Sequence, residues 1–77
     1  MRLIECFVDV EDYTDDESID KYQTEFVFDI SRVECCSPGY NFDNELDYNR
    51  TRITINGINY TIDIPFKEFK KQWQSQA

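Results

Sequence analysis

Sixteen carboxylates and no histidine define what chemistry this 77-residue chain can offer. Histidine is the side chain that most readily moves protons near neutral pH, and it is a frequent metal ligand. Without it, a cysteine nucleophile lacks its usual imidazole base. Paired carboxylates do acid–base work in many enzymes, but in a chain this acidic such pairs arise by composition alone. The cysteines are Cys6, Cys35 and Cys36, and the adjacent pair lacks the C-x₂₋₄-C spacing of a zinc site. The glycines are Gly39 and Gly57, which do not make a phosphate-binding loop. The expectation is a protein that is not an enzyme and holds no metal and no cofactor.

A calcium loop starting at Asp12 puts Asp16 at position 5 and Asp20 at position 9. Position 6 is then Glu17 where the turn needs glycine, and position 12 is Gln23 where a bidentate Glu is needed. A regulatory binder of divalent ions therefore stands only as an alternative.

The charge layout is more informative. Residues 1–49 carry 14 acids and 3 bases, a net of -11, and residues 50–77 carry 5 bases and 2 acids, a net of +3, which together give the chain's -8. The densest run holds Asp9, Glu11, Asp12, Asp15, Asp16, Glu17 and Asp20 with no base among them, and a second cluster holds Asp43, Glu45 and Asp47. Such runs are often just solvated faces. Here Tyr13, Tyr22, Tyr40 and Tyr48 are interleaved with the acids. Tyrosine supplies contact area and a hydrogen bond at modest entropic cost, so it is enriched where proteins bind. The residues expected to touch a partner are Glu11, Asp12, Tyr13, Asp15, Asp16, Glu17, Asp20, Tyr22, Asp43, Glu45 and Asp47.

The net charge disfavours direct contact with nucleic acid, whose phosphates need Lys and Arg to displace counterions. An anionic membrane is disfavoured for the same reason, and a basic protein surface is favoured. Three cysteines with one adjacent pair make a poor disulfide framework. Reduced cysteines point to the cytoplasm, with Cys6 and Cys35 as small core residues. Met1-Arg2-Leu3-Ile4 runs straight into Glu5, so no apolar signal stretch is expected.

The elements that must position these residues follow from periodicity. Residues 3–10 alternate, with Ile4, Cys6, Val8 and Val10 on one side and Glu5, Phe7 and Asp9 on the other. Thr14 precedes Glu17 by the capping-box spacing, and Ile19 and Tyr22 lie three apart, so the expectation is a short acidic helix over about 15–22 or, alternatively, a solvated acidic loop. Residues 24–30 alternate again, with Phe26, Phe28 and Ile30 inward. A bulge or bend near Ser31-Arg32 then carries the inward face on to Val33 and Cys35. Ser37-Pro38-Gly39 is expected to stop that strand, leaving a long polar loop to Asn49.

Asn56-Gly57 is the preferred pair for a two-residue type I′ hairpin. It sets Ile55 against Ile58, Ile53 against Tyr60 and Thr51 against Ile62, with Arg50 against Asp63 beyond them. Pro65 suits the first helical position. Phe66, Phe69 and Trp73 then form one helical stripe. The expected fold is α+β. It is an antiparallel sheet of three or four strands in a single domain, 1–77, with a C-terminal helix on one face.

Through Asp9–Asp20, Asp43–Asp47 and the interleaved tyrosines, the chain resembles the small acidic inhibitors encoded by phages, of the anti-CRISPR and anti-restriction kinds. The resemblance is one of size, charge and tyrosine content over about a third of the chain, without a shared motif. It implies an inhibitor acting in the host cytoplasm as a nucleic-acid mimic, covering a basic groove on a nucleic-acid-processing enzyme. The alternative is a structural subunit that homo-oligomerises through a sheet edge and the 40–48 segment.

Overall fold

The computed structural model describes residues 2–13 and 19–75, and for 12, 13, 19 and 20 the description covers the backbone only. The α+β architecture is as expected, with five strands where three or four were expected. These are β1 (Leu3–Tyr13), β2 (Ile19–Asp29), β3 (Cys35–Tyr40), β4 (Leu46–Ile55) and β5 (Ile58–Ile62), followed by α1 (Phe66–Gln74). The sheet is antiparallel in the order β2-β1-β5-β4-β3.

The hairpin at Asn56-Gly57 forms in the expected register, from Ile55↔Ile58 to Thr51↔Ile62. Both turn residues have positive φ, 53° and 78°, as a type I′ turn requires. The Gly57 N–H donates to the Glu34 carboxylate at 3.0 Å, which pins the turn to the strand beyond. The ladder ends at Thr51↔Ile62. Arg50 does not meet Asp63 as expected, because it is drawn instead to Asp9 and Asp47.

Three further expectations are corrected. Residues 19–22 of the proposed acidic helix lie in β2, and 15–18 fall outside the described residues. The β1–β2 ladder runs unbroken from Leu3↔Asp29 to Tyr13↔Ile19. Cross-strand pairing outweighs the weak local preference of a single capping box. Second, the chain does not stop at Ser37-Pro38-Gly39, which lies inside β3. β3 is an edge strand, where proline's missing N–H costs nothing, and the register shifts between Pro38 and Gly39. Leu46 and Tyr48 accordingly belong to β4, and the connection shrinks to 41–45. Third, Cys35 does not continue the inward face: the expected bulge or bend near Ser31-Arg32 is a 3₁₀ turn at Ile30–Arg32. It keeps Val33 buried but leaves Cys35 exposed, so Cys36 takes the inward place expected of Cys35.

One face of the sheet carries the core: Val8, Phe28, Ile30, Val33, Ile53 and Ile62, with Phe69 of α1 fully buried against them. Phe26 stacks on Phe28 and on Tyr60, and Phe28 meets Phe69, so one aromatic row runs beneath three strands to the helix. This row spans the thinnest seam of the sheet, because β1 and β5 pair only at Val8↔Ile62. Trp73 Nε1 donates to the Val33 carbonyl at 3.3 Å and fixes the end of α1. Pro65 serves as the N-cap, one residue before its expected place. The buried Thr51 hydroxyl donates to the Ile64 carbonyl at 2.7 Å, which satisfies the polar atom in the core. Among the described residues, no helix is long and apolar enough to cross a membrane.

Candidate protein-binding face

Paired residues in an antiparallel ladder project to the same side. The side opposite the core therefore carries Leu3, Glu5, Phe7, Asp9 and Glu11 of β1 beside Asp29, Val27, Glu25, Gln23 and Lys21 of β2. Helix α1 covers the other face, so this one is open. Along the hairpin the two kinds of side chain form a chequerboard. Leu3 faces Asp29, Glu5 faces Val27, and Phe7 faces Glu25. Leu3, Phe7 and Val27 are 60%, 46% and 53% exposed, high values for apolar side chains. Glu5, Phe7, Glu25 and Val27 line a shallow depression there.

A second depression, of about 290 Å³, lies where β1 and β5 diverge. Asp9, Glu11, Asn59 and Thr61 form its strand walls, with Asn41, Phe42 and Asn44 from the 41–45 turn. Asn41 shapes that turn, its side-chain oxygen accepting from the Asp43 and Glu45 N–H groups at 2.9 and 3.0 Å. Lys21 donates to the Phe42 carbonyl, and the Arg50 guanidinium lies 5.6 Å from the centre of the Phe42 ring. These contacts hold the 41–45 turn, which carries Asp43 and Glu45, beside Glu11.

Arg50 neutralises part of that acidity. It pairs with Asp9, and its Nε lies 3.6 Å from Asp47. Buried Gly39 makes room for it, since a Cβ there would lie 3.1 Å from Arg50 Cβ. Among the described residues, both ion pairs use Arg50, and the exposed carboxylates of Glu5, Glu11 and Glu25 form none.

The expected contact residues are thus only partly gathered. Glu11, Asp43 and Glu45 are exposed, and the 41–45 turn lines the depression beside Glu11 through Asn41, Phe42 and Asn44 rather than through the two acids. Asp47 is half-buried and engaged by Arg50. Tyr22 pairs with Val10 and so has the phase of the helix side of β2, away from Glu11. The backbones of Asp12, Tyr13 and Asp20 lie at the far end of the β1–β2 ladder, while Asp15, Asp16 and Glu17 lie outside the described residues. Sequence reasoning missed Glu5, Phe7, Glu25 and Val27 as one site. The outward phase of Glu5, Phe7 and Glu25 was readable, but the register that sets them side by side was not.

Protonation is shifted at Cys6, Cys36 and Asp29. Burial pushes the Cys6 thiol up to about 11, with the nearby Asp63 carboxylate adding to it. Burial likewise raises Cys36, reinforced by Cys35 and opposed by Lys70. Hydrogen bonds from the Ser31 hydroxyl and N–H, at 2.8 and 3.0 Å, hold Asp29 below the usual carboxylate range. Among the described residues, no three His, Cys, Asp or Glu side chains converge as a metal site.

Fold and face together define a small α+β domain with a helix on one side and an open, acidic and apolar sheet surface on the other. No family model matches the chain, nor does any curated protein or solved structure.

Proposed function

We propose that this chain is a non-enzymatic binding module that inhibits its partner by laying the open face of the β1–β2 hairpin on a basic protein surface. One observation carries the reading. Exposed Glu5, Glu11 and Glu25 share an uncovered face with exposed Leu3, Phe7 and Val27. A merely solubilising surface needs the acids but gains nothing from three exposed apolar side chains beside them. Apolar anchors ringed by charge are the usual anatomy of an interface. The surface of a nucleic-acid-processing enzyme that holds phosphates fits such a face, in keeping with the resemblance to acidic phage inhibitors. The free cysteines suit a reducing cytoplasm.

The test is retention of a basic protein from host lysate on the immobilised chain at low and at high salt. The expected result is retention at low salt, loss at high salt, and loss on Glu5→Lys/Glu11→Lys/Glu25→Lys. Equal retention by that variant at both salt concentrations overturns the reading.

A second reading rests on a different observation. Tyr40, Leu46 and Tyr48, at the outer end of the β3–β4 hairpin, are all exposed. They fit a subunit that assembles with its own kind. Light scattering distinguishes the two: a homo-oligomer indifferent to salt and lost on Leu46→Glu supports assembly.

A further inference from the structure

β2 is an edge strand, and the direction of its backbone groups can be worked out. The Phe7 carbonyl accepts from the Asp63 N–H at 3.1 Å, and the Phe7 N–H donates to the Asp63 carboxylate at 3.0 Å. Both backbone groups of Phe7 therefore point toward β5. Backbone direction alternates along a strand, so those of Ile4, Cys6, Val8 and Val10 point toward β2. Their partners there are Phe28, Phe26, Thr24 and Tyr22. The residues between, Lys21, Gln23, Glu25 and Val27, must then turn their N–H and C=O groups outward. Among the described residues no strand lies beyond them.

Exposed edges are usually blunted by shortness, proline, a bulge or lysine. β2 is 11 residues long, contains no proline, and keeps an unbroken register with β1. Lys21 is its one base, and its ammonium is engaged with the Phe42 carbonyl. What guards the edge is negative charge, from Glu25 and Asp29 with Glu5 behind them. That guard repels a second copy of a chain carrying -8, yet it attracts a cationic segment.

We infer that the free edge of β2 takes an extended basic segment of the partner as a sixth strand. The inference rests on the acidic-face reading and deepens it, because it specifies how the partner is held. An incoming strand sets alternate side chains on the open face. There a Lys or Arg meets Glu25, and an apolar residue two positions away meets Val27. The intervening side chains fall on the core side, beside Phe26 and Phe28. Main-chain hydrogen bonds supply affinity, and the Glu25/Val27 alternation supplies selectivity.

The probe is the nine-residue peptide Lys-Thr-Val-Thr-Lys-Thr-Val-Thr-Lys, which presents lysine and valine in turn on one face of a strand, added to the ¹⁵N-labelled chain at low salt. The expected result is a slowing of amide exchange by about tenfold at Lys21, Gln23, Glu25 and Val27. The same peptide with every backbone nitrogen methylated should bind about tenfold more weakly, since it cannot donate to the edge. Gln23→Pro, which blocks the edge without removing a backbone bond to β1, should weaken the natural peptide similarly, and Gln23→Ala, which loses only the side-chain bond to Asp9, should not. If the natural and methylated peptides bind alike, and Glu5→Lys/Glu25→Lys weakens both, strand addition is overturned while the acidic-face reading stands. No peptide binding at all overturns strand addition, and lysate retention then decides the acidic-face reading separately. Protection of the same amides in the free chain, with the mass of a dimer, gives the edge to a second copy and also overturns the inference.

Discussion

Asp9 on β1 and Arg50 on β4 are ion-paired across the intervening strand β5, with side chains only 8% and 20% exposed. The pair ties the β1–β2 hairpin to the β3–β4–β5 part of the sheet, where the backbone link between them is the single pair Val8↔Ile62 and its neighbouring bonds. Replacing Arg50 by Met leaves a largely buried carboxylate without its cation. The expected loss is about 2 kcal/mol, between the value of a surface pair and that of a fully buried one. Arg50→Lys should recover part of it, since the charge returns without the planar fork. Urea unfolding of Arg50→Met, Asp9→Asn and the double variant measures the coupling. A coupling below about 0.5 kcal/mol would class the pair with ordinary surface contacts.

Phe69 is the one fully buried side chain that α1 contributes to the core. Phe69→Ala should cost about 3–5 kcal/mol. That is comparable with the whole stability of a domain this small, so the variant is expected to be largely unfolded at 25 °C by circular dichroism. Phe69→Leu keeps most of the volume and should remain folded with a lower midpoint.

Gly57 holds φ at +78°, and a Cβ there would meet nothing within 4 Å. Gly57→Ala therefore tests backbone strain alone. It should destabilise by about 1 kcal/mol, the cost of placing an L residue in the left-handed region. A thermal melt that is unchanged would show the turn relaxing to another type.

The parts of the fold legible in the sequence were those where two signals agreed. At Asn56-Gly57, turn chemistry and hydrophobic alternation gave the same register, and the ladder follows it. The stripe Phe66, Phe69 and Trp73 likewise marked both the helix and its buried face. The misreadings came where one local signal stood alone. Thr14 and Glu17 suggested a helix, but the long pairing of β1 with β2 extends over 19–22. Ser37-Pro38-Gly39 suggested a stop, yet an edge strand tolerates proline. The open face was illegible because it depends on cross-strand register. Nothing local links Glu5 to Val27, or Asp9 to Arg50, over 22 and 41 positions of sequence.

The cysteines carry a prediction on pH. The Cys6 thiol titrates near 11 in the folded chain, above its ordinary value of 9.0. A raised pKa means that the folded state favours the protonated thiol. This contribution to stability is complete below about pH 8.5 and is lost as pH rises toward 11. Cys6→Val should therefore flatten the decline in stability between pH 9 and 11, measured by urea titration at each pH. An identical slope in the two proteins would remove Cys6 as its cause. At pH 8, Cys35, which is exposed, should be alkylated well before Cys6.

Two groups of acids make opposing claims on a partner. Asp15 and Asp16 belong to the densest acidic run in the sequence, whereas Glu5 and Glu25 lie beside the exposed apolar side chains Phe7 and Val27. Charge alone governs encounter at long range, and it is screened beyond a Debye length of about 8 Å at physiological salt. Contacts that also bury apolar area govern how long the complex lasts. Asp15→Lys/Asp16→Lys should therefore slow association, by an amount that shrinks as salt is added, and leave dissociation nearly unchanged. Glu5→Lys/Glu25→Lys should also speed dissociation, by about tenfold or more, because it places cations in a closed contact. Surface plasmon resonance at two salt concentrations separates the rates. If the Asp15/Asp16 variant instead accelerates dissociation and the Glu5/Glu25 variant does not, the contact is made by the Asp15/Asp16 run and the open face near Phe7 is not the docking surface.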